Sequence, residues 1–96
     1  SSATGDRATA FGRGSSASGL FSIALGVDGN DGDSLGAEAR GDAATALGAE
    51  SKAIGNSTTA IGAGAQAERE GALAIGSNAF SFDNNTVAIG TFARAG

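Results

Sequence analysis

The sequence predicts an all-β chain, a parallel β-roll (solenoid) of about seven stacked 14-residue coils, and three observations carry that prediction. A bulky apolar residue followed by glycine recurs at Phe11-Gly12, Leu25-Gly26, Leu35-Gly36, Leu47-Gly48, Ile61-Gly62, Ile75-Gly76 and Ile89-Gly90, at intervals of 14, 10, 12, 14, 14 and 14 residues. Between these pairs, small residues alternate with larger or polar ones, the period-two signature of a strand with one crowded face. The third observation is a shortage of bulk: 17 of 96 residues are glycine and much of the apolar fraction is alanine, too little to fill an ordinary globular core. A flexible Gly/Ser linker shares that composition but has no reason to keep a fixed interval.

Each repeat is numbered from its bulky residue as position one. Position five then reads Ser15, Gly29, Ala39, Ser51, Ala65, Ala79, Ala93, and position seven reads Ala17, Asp31, Gly41, Ala53, Ala67, Ser81, Ala95. Between them, position six is Ser16, Asn30, Arg40, Lys52, Gln66, Phe80 and Arg94, so this segment is a short strand with small side chains on one face. A second strand follows at positions thirteen, fourteen and one, as in Thr59-Ala60-Ile61, Leu73-Ala74-Ile75 and Val87-Ala88-Ile89, with bulk on one face and alanine on the other. The turn glycines Gly12, Gly26, Gly36, Gly48, Gly62, Gly76 and Gly90 supply one bend, and Gly19, Gly55-Asn56, Gly71 or Asp83-Asn84 the other. Stacking such coils pairs each strand with its counterparts one coil away, giving two parallel sheets.

The bulky column, Phe11, Leu25, Leu47, Ile61, Leu73, Ile75, Val87 and Ile89, has two possible facings. It fills the roll while alanine meets a partner, or alanine closes the roll while the column meets a partner; close packing of two sheets favours the second. With either facing a single chain recovers little by burial, so self-association is expected.

Composition removes most other function classes. A formal charge of −4 gives no electrostatic reason to bind nucleic acid or an anionic membrane. His, Cys, Pro, Met, Trp and Tyr are absent, which excludes disulfides, thiol chemistry, histidine-ligated metals and histidine bases; no catalytic residue, cofactor or metal is expected. No 18-residue apolar run and no charged-then-apolar leader occurs, so this segment is not expected to insert in a membrane or to carry its own export signal.

The copies TAIGAGAQA, LAIGSNAFS and VAIGTFARA, at 59–67, 73–81 and 87–95, resemble the 14-residue repeat of the YadA-like head of trimeric autotransporter adhesins, and the resemblance runs over nearly the whole chain. It implies a left-handed parallel β-roll assembled as a homotrimer, held beyond a coiled-coil stalk and a membrane-anchoring barrel on the bacterial outer membrane. It also implies attachment to host cells or matrix proteins such as collagen or fibronectin, a cell-adhesion and virulence role. Handedness and trimer number come from the resemblance alone; crossover statistics for parallel strands favour the opposite hand. Ser1 falls at position five and Gly96 at position eight, so residues 1–96 are expected to be one head fragment of a longer array, with signal peptide, stalk and anchor elsewhere.

Residues 27–36 break the pattern as an irregular coil, VDGNDGDSLG. Asp28, Asn30, Asp31 and Asp33 invite a calcium loop, but the sixth and twelfth places of such a loop hold Asp33 and Ala39 rather than glycine and glutamate, and a solvated acidic loop is the plainer reading. A hexapeptide acyltransferase repeat matches Ile61 to Gln66, yet Ala67, Ser81 and Ala95 stand where it needs bulk, and the histidine base is missing. An ice-binding ladder fails because Thr9, Thr45, Thr58, Thr59, Thr86 and Thr91 form no unbroken column. Glu38, Arg40, Asp42, Glu50, Lys52 and Glu68 make a mixed-charge outer face, and Phe80, Phe82 and Phe92 an aromatic cluster on the last two coils. The possible ligand surface is therefore Phe80, Phe82, Phe92, Arg40 and Lys52; the alternative for the aromatics is packing against a neck or a neighbouring protomer. A non-enzymatic adhesin head segment is the expected function, with a rigid spacer as the alternative.

Overall fold

The computed structural model describes residues 2–26 and 36–96, which hold thirteen short strands and no helix. One sheet contains, in spatial order, β1 (Ser2–Ala3), β3 (Ser16–Ala17), β5 (Glu38–Ala39), β7 (Lys52–Ala53), β9 (Gln66–Ala67), β11 (Phe80–Ser81) and β13 (Arg94–Ala95). The other contains β2 (Thr9–Phe11), β4 (Ile23–Leu25), β6 (Thr45–Leu47), β8 (Thr59–Ile61), β10 (Leu73–Ile75) and β12 (Val87–Ile89). All pairings between neighbours are parallel, and successive strands of the chain alternate between the sheets, so the chain is a parallel β-solenoid. The described residues measure 29 × 28 × 15 Å.

The pairing corrects the coil count. Leu25 pairs directly with Leu47 and Ser16 with Glu38, each 22 residues on, whereas every other register step is 14. Gly36 therefore opens no coil of its own: the described residues form about six coils, and eight more residues than the usual step separate the paired positions of one of them. Gly36 lies beside Gly14, whose carbonyl accepts its N–H at 2.9 Å, and so stands at position four rather than with the turn glycines of position two. The same shift moves Ala39 to position seven, Glu38 to position six and Arg40 to position eight. A local Ser-Leu-Gly satisfied the motif by composition, but ladder bonds set the register. Leu35 and the acidic residues Asp28, Asn30, Asp31 and Asp33 lie outside the described residues.

Alanine lines the interior. Positions five, seven, twelve and fourteen point inward, and Ala17, Ala24, Ala39, Ala46, Ala53, Ala60, Ala67 and Ala74 have no exposed surface. Strands of the two sheets approach to within 8 Å between Cα atoms, where sheets packed face to face ordinarily stand about 10 Å apart. A methyl group fills that gap and a larger side chain does not. Four inward hydroxyls donate to a carbonyl three residues back: Ser15 to Gly12 at 2.8 Å, Ser22 to Gly19 at 2.6 Å, Ser51 to Gly48 at 3.0 Å and Thr58 to Gly55 at 2.7 Å. No hydroxyl of these four is left unpaired in the dry interior, which removes the cost of burying it.

The corners dictate the remaining glycines. At position two, Gly62 has φ +125° and a side-chain carbon there would lie 2.6 Å from the Gly76 carbonyl oxygen. At the opposite corner, any Cβ on Gly41 would overlap the carbonyl of Gly55. Most corners among the described residues also bend through a left-handed residue, at position four or eleven, Gly36 being an exception. Several of these are not glycine, including Phe21 at φ 58°, Glu50 at 61° and Phe92 at 60°.

Candidate functional site

The roll presents two broad faces of different chemistry. On the six-stranded sheet, the strand periodicity that turns position fourteen inward turns positions thirteen and one outward. Phe11, Leu25, Leu47, Ile61, Ile75 and Ile89 stack in register as one unbroken apolar column, since each pairs with the next. Beside it runs Thr9, Ile23, Thr45, Thr59, Leu73 and Val87, three threonines and three apolar residues. At the ends of the stack Phe11 is 74% and Ile89 62% exposed; in the middle, Leu25, Leu47, Ile61, Leu73 and Ile75 are half-buried because neighbours above and below cover them. No part of this column fills the roll, which answers the question of facing left open by the sequence. Ile23, in the second column with Leu73 and Val87, escaped notice because its register partners Thr9 and Thr45 are both threonine.

The seven-stranded sheet carries the polar face. Its position-six column runs Ser16, Glu38, Lys52, Gln66, Phe80 and Arg94. Arg40 and Lys52 both lie on this side, but they differ in company. The Arg40 guanidinium holds Glu38 Oε1 at 2.6 Å, while Glu38 is almost wholly buried and its Oε2 has no hydrogen-bond partner among the described residues. Sequence reasoning placed Glu38 on an open charged face; an acidic residue alternating with the small residues Ala37 and Ala39 gives no local signal of burial. At the nearby corner Asp42 accepts the Leu20 N–H at 3.0 Å and Asn56 accepts the Asp42 N–H at 3.0 Å, so these side chains tie successive coils together.

The aromatic cluster is real in space. Phe80 and Phe82 meet edge to face with ring centroids 5.1 Å apart, and the Arg94 guanidinium lies 5.8 Å from the centre of the Phe80 ring. Phe92 does not join that stack; it stands one corner away, 69% exposed. A shallow groove of about 450 Å³ is lined by Gln66, Phe80 and Arg94 of one column and by Gly64, Asn78, Ala79 and Phe92 beside it. Among the described residues no group of His, Cys, Asp or Glu is arranged to hold a metal ion.

The family described as "YadA head domain repeat (2 copies)" matches residues 3–28, 39–65, 53–79 and 70–93. The stretch between the first two matches, 29–38, overlaps the extra residues of the long coil. No curated protein matches the chain.

Proposed function

The chain belongs to the YadA head family of adhesin repeats, and from that premise we propose that it is a non-enzymatic head segment of a trimeric autotransporter adhesin, exposed on the bacterial outer membrane and attaching it to host cells or matrix proteins. The observation that carries the assembly is the apolar column of the six-stranded sheet. An interior of alanine and glycine recovers little free energy for the backbone it orders, while the side chains able to recover more are turned outward in one straight stripe. Three copies about a common axis, each a left-handed roll, bury those stripes against one another. The seven-stranded face then remains outward for a host ligand of the collagen or fibronectin kind.

Sedimentation equilibrium of the chain tests the assembly, and a folded monomer at micromolar concentration sinks it. Attachment is tested by capture of the assembly on dense and sparse matrix-coated surfaces. Three weak contacts on one rigid body gain about 10² or more in avidity, so capture rises steeply with surface density. The close repetition of one coil geometry also favours a second reading, a rigid spacer that carries another binding domain; absence of capture on any surface supports it.

A further inference from the structure

We propose that Asn56 is an acceptor for an N-linked sugar, attached to its side-chain nitrogen before the roll closes, and that Asn84 repeats the same site two coils on. The modification is independent of the adhesive reading.

Two positions of the repeat vary together. Position ten, at a corner between the sheets, reads Asp6, Leu20, Asp42, Asn56, Glu70 and Asn84, and position twelve reads Ala8, Ser22, Ala44, Thr58, Ala72 and Thr86. Threonine stands at position twelve in the two coils that have asparagine at position ten, and in no other described coil. Each pair, with Ser57 or Asn85 between, is the Asn-x-Thr acceptor sequence for N-glycosylation. The fold does not call for this threonine. Ala44 and Ala72 are as deeply buried at the same position, whereas Thr58 is the bulkiest of the fully buried side chains in an interior of alanine. Nor does a contact tie it to Asn56: Thr58 Oγ1 donates to the Gly55 carbonyl at 2.7 Å, and Asn56 Oδ1 accepts the Asp42 N–H at 3.0 Å.

Asn56 is exposed although coils lie on both sides of it. Its side chain takes the Asp42 N–H of the coil before, and its backbone carbonyl takes the Gly71 N–H of the coil after at 3.0 Å. It stands mid-stack at the corner, off the apolar columns of positions thirteen and one. The amide oxygen is bound to the neighbouring coil, and Nδ2 has no partner among the described residues. A glycosylated amide keeps its carbonyl oxygen as an acceptor, so a sugar on Nδ2 leaves the bond between coils intact.

The donor is a sugar activated at C1 as a phosphate ester, carried on a nucleotide or on a lipid. The bond between Nδ2 and C1 forms, the bond from C1 to the phosphate oxygen breaks with its electron pair leaving on the phosphate, and a base of the transferase takes one amide proton. Burial sets the order of events. The threonine hydroxyl completes the acceptor sequence, and in the folded chain Thr58 has no exposed surface. A transferase therefore reads it on the unfolded chain.

The test is electron-transfer mass spectrometry of the chain recovered from the cells that make it. Sugar is expected on Asn56 and Asn84, and not on Asn78 or Asn85, which are followed two residues on by Phe80 and Val87. A single sugar or a stepwise series identifies the nucleotide donor, and one preassembled oligosaccharide the lipid donor. Thr58→Ala should abolish the sugar on Asn56 and spare Asn84, while Thr58→Ser should retain it; Ala44 and Ser22 already fill that position, so circular dichroism should show both variants folded. Asn56→Asp keeps an oxygen for the Asp42 N–H, as Asp42 does for the Leu20 N–H, and should lose the sugar with the fold intact. Unfolded chain given cell extract and labelled donor should take up sugar about tenfold or more faster than folded chain. An unmodified Asn56 overturns the proposal, as does sugar confined to serine and threonine, or conversion of Asn56 to aspartate with no sugar attached. Sugar that persists on Asn56 in Thr58→Ala overturns the role given to the threonine, and equal labelling of folded and unfolded chain overturns the order of events.

Discussion

Ala74→Leu puts the packing argument to its hardest test. Ala74 is the central residue of β10, fully buried, and it faces strands whose Cα atoms lie within 8 Å. Leucine adds three carbons to a gap that one methyl group fills, and ordinary leucine-lined sheets need about 10 Å. Opening the gap by some 2 Å at one strand cannot remain local, because Ala74 is bonded in register between Ala60 and Ala88. Overpacking costs about 1 to 3 kcal/mol where a core can yield, and this site belongs at the upper end of that range. For a domain of this size, about 3 kcal/mol lowers Tm by at least about 10 °C. Circular dichroism melts of Ala74→Leu and of Val87→Leu, which adds a methylene group on the outer face, form the matched pair. If Ala74→Leu melts within about 2 °C of the parent, the sheets are not held apart by alanine and the account of the interior is wrong.

Three further outcomes are expected. Ile75→Asp places a carboxylate in the middle of the apolar column, and in the proposed trimer, where that column meets its neighbours, it should cost about 3 kcal/mol or more, read as loss of the assembled species in sedimentation; an unchanged mass shows the column exposed. Gly62→Ala combines a φ of +125° with a carbon 2.6 Å from the Gly76 carbonyl oxygen, so melts should show a loss of about 2 kcal/mol or more, against little change for Ala63→Gly on the exposed side of the same corner. Arg40→Ala leaves a buried carboxylate with neither oxygen partnered and should cost about 1 to 2 kcal/mol, discounted because the Arg40 side chain is 59% exposed; adding Glu38→Gln should recover part of that loss, and a double variant less stable than Arg40→Ala refutes the pairing.

Much of the architecture was legible because the interior repeats in a single residue type. Ala60, Ala74 and Ala88 recur with Ile61, Ile75 and Ile89 at one spacing, and the two-residue alternation tells which side each takes. Register around Leu35 was not legible: Ser34-Leu35-Gly36 meets the local pattern, and only hydrogen bonds between coils distinguish a new turn from an excursion. Left-handed corners at Arg7, Phe21, Ala43, Ser57 and Phe92 gave no warning either, since none of these residues favours that backbone. The aromatic surface was partly legible. The spacing put Phe80 and Phe82 on one outer face, but the separation of Phe92 across a corner, and the groove this opens toward Gln66 and Asn78, depend on where the chain turns.

The long coil has a consequence for how such a protein changes over time. The chain departs after Gly26 and rejoins at Gly36, and these two glycines adjoin: a side-chain carbon on Gly36 would lie 3.0 Å from the Gly26 carbonyl oxygen. Leu25 still meets Leu47 as squarely as Leu47 meets Ile61. The rest of the stack is thus insensitive to how many residues separate those two glycines, since each doubling of a loop's length adds only about 0.6 kcal/mol of closure cost. In a molecule whose every other position is held by a neighbour one coil away, this corner is where new sequence can be acquired, lengthened or exchanged without renegotiating the scaffold.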